Sequence, residues 1–408
     1  MASSSPLNVI IAGGGLSGLA LAQGLRKDGH SATVYERDPD FTRKVGYMLH
    51  MNADGGEALR RVLPEDLFEL YLETSRRSYE RKLSTVWSKD LHEITSQPHV
   101  GPPNPGPREH TGVHRRTLRA ILRARLGDAF QPGRPIVSYE ELPDRVVAHF
   151  ADGTSAEGDL LVGADGINSA VRAQRLPDVT HVPGGVQGIG VFGRTPITPR
   201  LLELLPDELL QGVNFATDGQ GRVLIGAYQA RQRPDEAART IAPDVELEPV
   251  DDYVMTSASV SPGTVIPPND QWTESTPLEL RESMLRSVEG WHPGVIELVG
   301  TMEPSTIFQI PFGFLMPAEP WAPSRVTLVG DAAHAMLPTL GIGANLALLD
   351  AKRLLEEISG AAGAGTDVVE AVGRAEAGMR EYVYPFMEIT MQHDKAFGGG
   401  GLERPESA

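Results

Sequence analysis

The sequence predicts an α/β protein in which a Rossmann-like domain on a parallel sheet is intertwined with a second domain whose sheet is mostly antiparallel. Three observations carry this. The apolar run Leu7–Ala12 is followed at once by Gly13-x-Gly15-x-x-Gly18, and the next apolar run ends in Glu36. Two later apolar strands break at Asp165-Gly166 and at Gly330-Asp331. The segments Gly221–Tyr228 and Asp252–Val260 read as strands of an antiparallel sheet.

Residues 7–12 read as a buried parallel strand. Residues 15–29, with Leu16, Leu19, Ala20 and Leu25, read as a helix packed on it, and 31–36 as the second strand. The glycines make a tight turn, let a pyrophosphate approach the backbone, and let the helix sit close to the sheet. The helix N-terminus then offers unpaired N–H groups and a positive dipole end. Gly13, Gly15, Leu16, Ser17 and Gly18 are therefore candidate ligands of a dinucleotide. Glu36, with Arg37 beside it, stands where an acidic side chain accepts bonds from a ribose. NAD, NADP and FAD all match this fingerprint. Gly188-x-Gly190-x-x-Gly193 spells it again, but Thr180–Gly185 before it is no buried strand. Pro196 and Pro199 follow too soon for a helix to open.

Asp331 follows the strand at 325–330, at the carboxyl end where open α/β sheets bind ligands. A short carboxylate there can hold a ribityl or ribose hydroxyl. Gly341-Ile-Gly343-Ala344-Asn345 then leads into a helix expected over Leu346–Ile358, its N-terminus pointing past Asp331. Arg115, Arg119 and Arg123 recur every four residues, the usual pattern of a solvated helix face. Arg115, at the helix start, is the one expected to reach a ligand.

The blocks Gly13–Arg37, Val113–Leu122, Gly163–Arg172 and Gly330–Asp350 together resemble the single-component flavoprotein aromatic hydroxylases of the para-hydroxybenzoate hydroxylase type. Within them the chain looks most like the salicylate-hydroxylase-like and tetracycline-inactivating monooxygenases. The resemblance implies non-covalent FAD, NADPH or NADH as a transient reductant, and dioxygen. It implies hydroxylation of a small aromatic or polyketide-like substrate through a flavin C4a-hydroperoxide. It assigns Asp331 to the ribityl chain, and Pro338, Gly341, Gly343, Ala344 and Asn345 to the isoalloxazine ring, with Pro338, Gly341 and Gly343 as the catalytic contacts. A helix N-terminus beside the N1–C2=O edge would stabilise the reduced, anionic flavin by about 0.3–2 kcal/mol. It also implies that Arg115 reaches the FAD and that Asp165 joins the cofactor to the pyridine-nucleotide route, with Ser169 and Arg172 orienting. A structural turn is the competing reading of Asp165. Arg43 and His50 stand where the tetracycline-inactivating relatives contact flavin and nucleotide. The family often has Gln where this chain has Ile342.

Composition narrows the classes. Among 408 residues the net charge is −17 with no basic block, so nucleic acid is not an expected partner. No apolar stretch approaches the ~20 residues of a membrane span. The leader Met1–Pro6 has no signal-peptide pattern, which leads us to expect a cytoplasmic protein, monomer or homodimer. The absence of cysteine excludes disulfides, a cysteine-tethered flavin and disulfide-reductase chemistry. No metal site is expected. Trp87, Trp272, Trp291 and Trp321 lie outside a Trp-x-Trp-x-Ile-Pro setting, which argues against a flavin halogenase. A dehydrogenase or reductase of the same fold, or a flavin-binding protein without catalysis, stays open.

Residues 1–75, 110–176 and 321–395 are expected to form the FAD-binding domain, and 76–109 with 177–320 the substrate domain. A disordered tail is expected over 396–408. The Pro-rich stretch Gln97–Pro107 reads as a stiff surface loop or lid. Phe192, Phe215, Tyr228 and Phe312, with Phe308 and Phe314, are candidates to line an apolar pocket for a planar substrate, with core packing as the competing reading for most of them. No His/Asp pair stands out as an acid or base.

Overall fold

The computed structural model describes residues 6–40, 47–81, 83–99, 110–183, 189–259 and 275–396. The chain opens with β1 (Asn8–Ala12), α1 (Leu16–Lys27) and β2 (Ser31–Tyr35). The glycine turn between β1 and α1 has a steric basis. Gly13 holds φ +108°, and a Cβ there would lie 2.4 Å from the Ala164 carbonyl oxygen. A Cβ on Gly18 would lie 2.2 Å from the Gly13 carbonyl oxygen, so only glycine lets α1 descend onto β1.

The chain continues with β3 (Met48–Met51), α2 (Ala53–Val62), α3 (Glu65–Glu73), β4 (Leu83–Ser88), β5 (Glu93–Pro98), β6 (Thr111–His114) and α4 (Arg115–Arg123). Then come β7 (Phe130–Gln131), β8 (Ile136–Glu141), β9 (Val146–Phe150), β10 (Ser155–Gly158), β11 (Leu160–Gly163), α5 (Ala170–Arg175) and β12 (His181–Pro183). The middle of the chain holds β13 (Ile189–Pro196), α6 (Pro199–Leu204), β14 (Val213–Thr217), β15 (Arg222–Tyr228), α7 (Pro234–Ile241), β16 (Tyr253–Ser259), α8 (Pro277–Ser287) and α9 (Pro293–Gly300). It closes with β17 (Phe308–Pro311), β18 (Gly313–Leu315), β19 (Val326–Leu328), α10 (Asp331–His334), α11 (Gly343–Ala364) and α12 (Val368–Ala396).

Two sheets dominate. The first is parallel throughout, in the order β19-β11-β1-β2-β7. Its central strands are buried on both faces, as parallel sheets require. Val9 and Ile11 pack with α1 and α11, while Ile10, Ala12 and Leu161 pack on the other side with residues of α12. The second sheet has the order β17-β13-β16-β15-β14-β4-β5 and is antiparallel except between β14 and β4. One of its faces carries a separate apolar core, with Val191, Ile225 and Val254 against Leu280, Val295 and Leu298.

One expectation holds and three change. Gly190 and Gly193, in the second glycine pattern, lie within antiparallel β13, which agrees with setting it aside. The helix expected over Leu346–Ile358 is longer at both ends. It opens at Gly343 and stops at Gly365, which takes a left-handed conformation that L side chains resist. Gln97 and Pro98 belong to the edge strand β5, where a terminal proline costs no ladder bond; 100–107 lie outside the described residues. Ala396 is still helical, and the rest of the expected disordered tail lies outside the described residues.

Candidate active site

The glycine turn is held from behind by a buried ion pair. Glu36 Oε2 accepts from the Gly14 N–H at 2.9 Å and from Arg119 Nη2 at 3.0 Å, and Oε1 accepts from the Asp38 N–H at 2.9 Å. Arg119 Nε also donates to the Gly14 carbonyl at 2.8 Å. Arg119, expected on a solvated face, is only 9% exposed. Spacing alone does not show which side of α4 the glycine turn covers. Burial pulls the Arg119 guanidinium down to about 10, against the Glu36 charge, which favours it. A carboxylate has about four acceptor positions. Among the described residues Glu36 uses three, which leaves one open. Arg37 beside it is exposed.

At the carboxyl end of β19, Gly330 turns the chain with φ +60° and α10 begins at Asp331, whose side chain is exposed. The segment Pro338–Leu340 makes a short 3₁₀ turn, Gly341 takes φ +65°, and α11 starts two residues on. The first intrahelical bond runs from Leu346 to Ile342, so the N–H groups of Gly343, Ala344 and Asn345 precede the helix ladder. Neither α1 nor α11 has a side-chain cap at its N-terminus. Ile342 is buried in the core, so the departure from Gln turns a side chain inward. The Asn345 side chain is engaged within the fold. Its Oδ1 accepts from the Asn52 N–H and its Nδ2 donates to the His50 carbonyl, both at 2.9 Å. It fastens α11 to β3, and only its backbone N–H stays directed with the helix end.

A His/Asp pair that the sequence reading did not single out lies beneath this turn. His334 Nε2 and Asp350 Oδ2 are 2.5 Å apart, both buried, and the same oxygen accepts from the Gly330 N–H at 2.8 Å. Burial opposes charge on His334, yet the Asp350 carboxylate outweighs it and the imidazole pKa is raised. The pair anchors α10 to α11. Arg172 adds a brace through Nη1 to the Ala332 carbonyl at 3.1 Å.

Asp165 caps α5: Oδ2 accepts from the Ala170 N–H at 2.8 Å, and the neighbouring Ser169 Oγ accepts from the Arg172 N–H at 2.9 Å. This is the turn that competed with the ligand reading. Its other oxygen, Oδ1, is buried without a partner, and burial raises its pKa. Arg43 lies outside the described residues.

Tyr47, which the sequence reading missed, connects the halves. Its carbonyl accepts from the Arg115 N–H at 3.0 Å, and the Arg115 guanidinium sits 5.7 Å from its ring centre. Asp331 is close enough to act electrostatically on its hydroxyl. The same ring stacks on Phe192 at 5.5 Å and Phe308 at 5.9 Å. No motif marks it, and it borders the undescribed residues 41–46.

The apolar face of the second sheet follows from its register. Phe308, Phe192, Ser257, Leu224 and Phe215 lie in one row across five strands. At about 4.8 Å per strand, Phe192 and Phe215 stand about 14 Å apart over Ser257 and Leu224. Phe312 meets Phe192 edge-on, and Arg222 lies 3.8 Å over Phe215. Tyr228 is no wall residue: it is 0% exposed and its hydroxyl donates to the Thr74 carbonyl at 2.6 Å. Phe314 belongs to the β12–β18 ribbon instead. Near Tyr228, three polar atoms are buried without partners: Arg194 Nε, His114 Nε2 and Tyr253 Oη. Burial first, then Arg194 and Arg116, holds His114 at about 3, so it is neutral near pH 7.

Among the described residues no group of three His, Cys, Asp or Glu is placed to hold a metal ion, and no helix is long and apolar enough to cross a membrane. A family model for an FAD binding domain matches residues 313–370, and one for an NAD(P)-binding Rossmann-like domain matches 11–45. The 6-hydroxynicotinate 3-monooxygenase of Pseudomonas fluorescens is 28% identical over 86% of this chain and 82% of its own length. Over most of its length the chain is similar to FAD-dependent monooxygenases. The dual O-methyltransferase/FAD-dependent monooxygenase elcB of Phaeosphaeria nodorum is 31% identical over 96% of this chain, which spans 45% of that relative. Salicylate hydroxylase, solved as a substrate complex, shares the fold with a TM-score of 0.70 and 22% identity over 99% of this chain and 92% of that one. The likeness fits the site: two uncapped helix ends and the exposed Asp331 gather at the carboxyl end of one parallel sheet.

Proposed function

We propose that the protein is an FAD-dependent monooxygenase that uses NADPH or NADH and dioxygen to hydroxylate an aromatic or polyketide-like small molecule. The observation that carries this is Tyr47, in contact with Arg115 and within reach of the Asp331 charge on one side, and stacked on Phe192 and Phe308 on the other. A dinucleotide cradle and an aromatic-lined floor therefore meet at one point.

The residues present fit FAD. A Cβ built on Gly341 meets nothing within 4 Å, and one on Gly15 meets only the Ala164 carbonyl, at 3.8 Å, so both turns leave room for a ring or a phosphate. Gly13, Gly15, Leu16, Ser17 and Gly18 would hold the pyrophosphate, Glu36 a ribose, Asp331 the ribityl chain, and Arg115 the cofactor from its far side. Pro338, Gly341, Gly343 and Ala344 would border the isoalloxazine. Bound FAD, once reduced, supplies the activation of dioxygen. The protein's own part is positioning and exclusion of water. The N–H groups opening α11 favour negative charge at their end. Leu337 and Ile342 are buried apolar groups in the same turn and keep water from it. On the sheet face, Phe192, Phe308 and Phe312 suit a planar ring. The unpartnered Arg194 Nε, His114 Nε2 and Tyr253 Oη suit an acidic or carbonyl oxygen on that ring.

The test is to purify the protein, identify the released cofactor, and screen phenolic and polyketide-like compounds for stimulated NAD(P)H oxidation with product mass. Released NADP, or protein unable to take up FAD, would end this reading.

A further inference from the structure

A small cleft, partly open to solvent, lies beside β6 where the chain leads from α3 into β4. Arg76, Arg77, Tyr79, Arg81, His99 and His110 line it. Its charge is lopsided. Arg81 is paired with Glu93 at 2.6 Å. Arg76 is only 4% exposed, and among the described residues no carboxylate pairs with it. Its Nη1 donates to the carbonyls of Gly212 at 2.9 Å and Ala227 at 3.4 Å, and its Nε is buried with no partner. A buried guanidinium answered only by carbonyl dipoles is costly, and planar oxyanions are the ligands that match its fork.

The cleft is wired to the flavin-side turn. His110 Nδ1 lies 2.9 Å from His50 Nε2, and the His50 ring also hydrogen-bonds the backbone of Gly341. His99 closes the group, with ring centres 4.9 Å from His50 and 5.2 Å from His110. Arg76 acts on His50 and His99 as a like charge. Burial first, then His110 and Arg76, holds His99 at about 4.

We propose that this cleft is a binding site for an oxyanion, the carboxylate or phosphate of a small molecule, and that its occupancy is felt at Gly341 through His110 and His50. Two sources share that chemistry: an acidic arm of the substrate and a phosphate of the pyridine nucleotide. Anion binding needs no turnover, so the proposal stands or falls apart from the hydroxylase reading.

The probe is inorganic phosphate, titrated into the FAD-loaded full chain at constant ionic strength against chloride, with calorimetry and the visible flavin spectrum as readouts. Saturable heat and a spectral shift are expected. Arg76→Lys and the exposed-site variant Arg77→Gln should each weaken binding at least ~10-fold with melting temperature and FAD content kept. His110→Phe should keep the heat and lose the spectral shift. In turnover, the arginine variants should raise KM at least ~10-fold either for NADPH and not NADH, marking the nucleotide phosphate, or for an acidic substrate alone, marking its carboxylate. Absence of saturable heat, or equal affinity in folded Arg77→Gln and Arg76→Lys, would overturn the site. An unchanged spectral shift in His110→Phe would overturn the link to Gly341.

Discussion

Asp331 and Glu36 look alike in the sequence, each an acid just past a strand, yet they carry different burdens. Asp331 is exposed at the first residue of α10, and among the described residues no hydrogen bond uses its carboxylate. Asp331→Ala should therefore leave the melting temperature unchanged while FAD affinity falls roughly 10–150-fold, the ~1.5–3 kcal/mol of hydrogen bonds to a charged acceptor. Fluorescence titration of the apoprotein with FAD measures it, and undiminished affinity would reduce Asp331 to a turn residue. Glu36 is bound into the fold. Glu36→Ala strands the Arg119 guanidinium, 11% exposed at its side chain, and should cost about 3–5 kcal/mol in urea unfolding. An unchanged midpoint would mean that water already solvates the pair. Glu36 was legible because its distance from the glycine triad is diagnostic. Arg119 was not, because a four-residue basic stripe looks the same whether its middle member meets water or a carboxylate.

Strands and glycine turns of the parallel sheet were the most legible elements, since each is a short apolar run cut by a turn that only Gly or Gly-Asp makes. The join between α10 and α11 was hidden: His334 and Asp350 are separated by a whole turn of irregular chain, and only folding brings them together. That join has a pH signature. The His334 pKa is raised, so its contribution is complete below the ordinary imidazole value and is lost as pH rises through the raised one. His50, His99 and His114 are lowered, so their contribution is complete above about 6.5 and is lost as pH falls toward their folded values. Melting temperature should peak near neutrality and fall on both sides. His334→Asn should lower the peak and flatten the alkaline limb without changing the acid limb. An alkaline limb that persists unchanged in that variant would show that another group causes it.

At the scale of the molecule, Arg115 and Asp331 on one side and the aromatic row of the second sheet on the other meet at Tyr47. The second sheet's existence was legible from alternating strands, but its working face was not. Period-two alternation gives two faces and does not say which one carries a core of its own and which meets the flavin side. Register decides it, by placing Phe308, Phe192 and Phe215 in one row; Tyr228 lies farther along the same face and is fully buried. Phe192→Ala should raise KM for an aromatic substrate about 10-fold or more at unchanged FAD content, because it removes one wall and the stack with Tyr47. Steady-state kinetics of FAD-matched samples would show this, and an unmoved KM would shift the substrate off this face. Turnover of an accepted aromatic under oxygen-18 gas in ordinary water shows where the added oxygen comes from. The account predicts a product heavier than the substrate by roughly 18 mass units, against roughly 16 in air, one oxygen atom having come from dioxygen. Oxygen drawn from water, or NAD(P)H consumed only to peroxide with the aromatic unchanged, would contradict it.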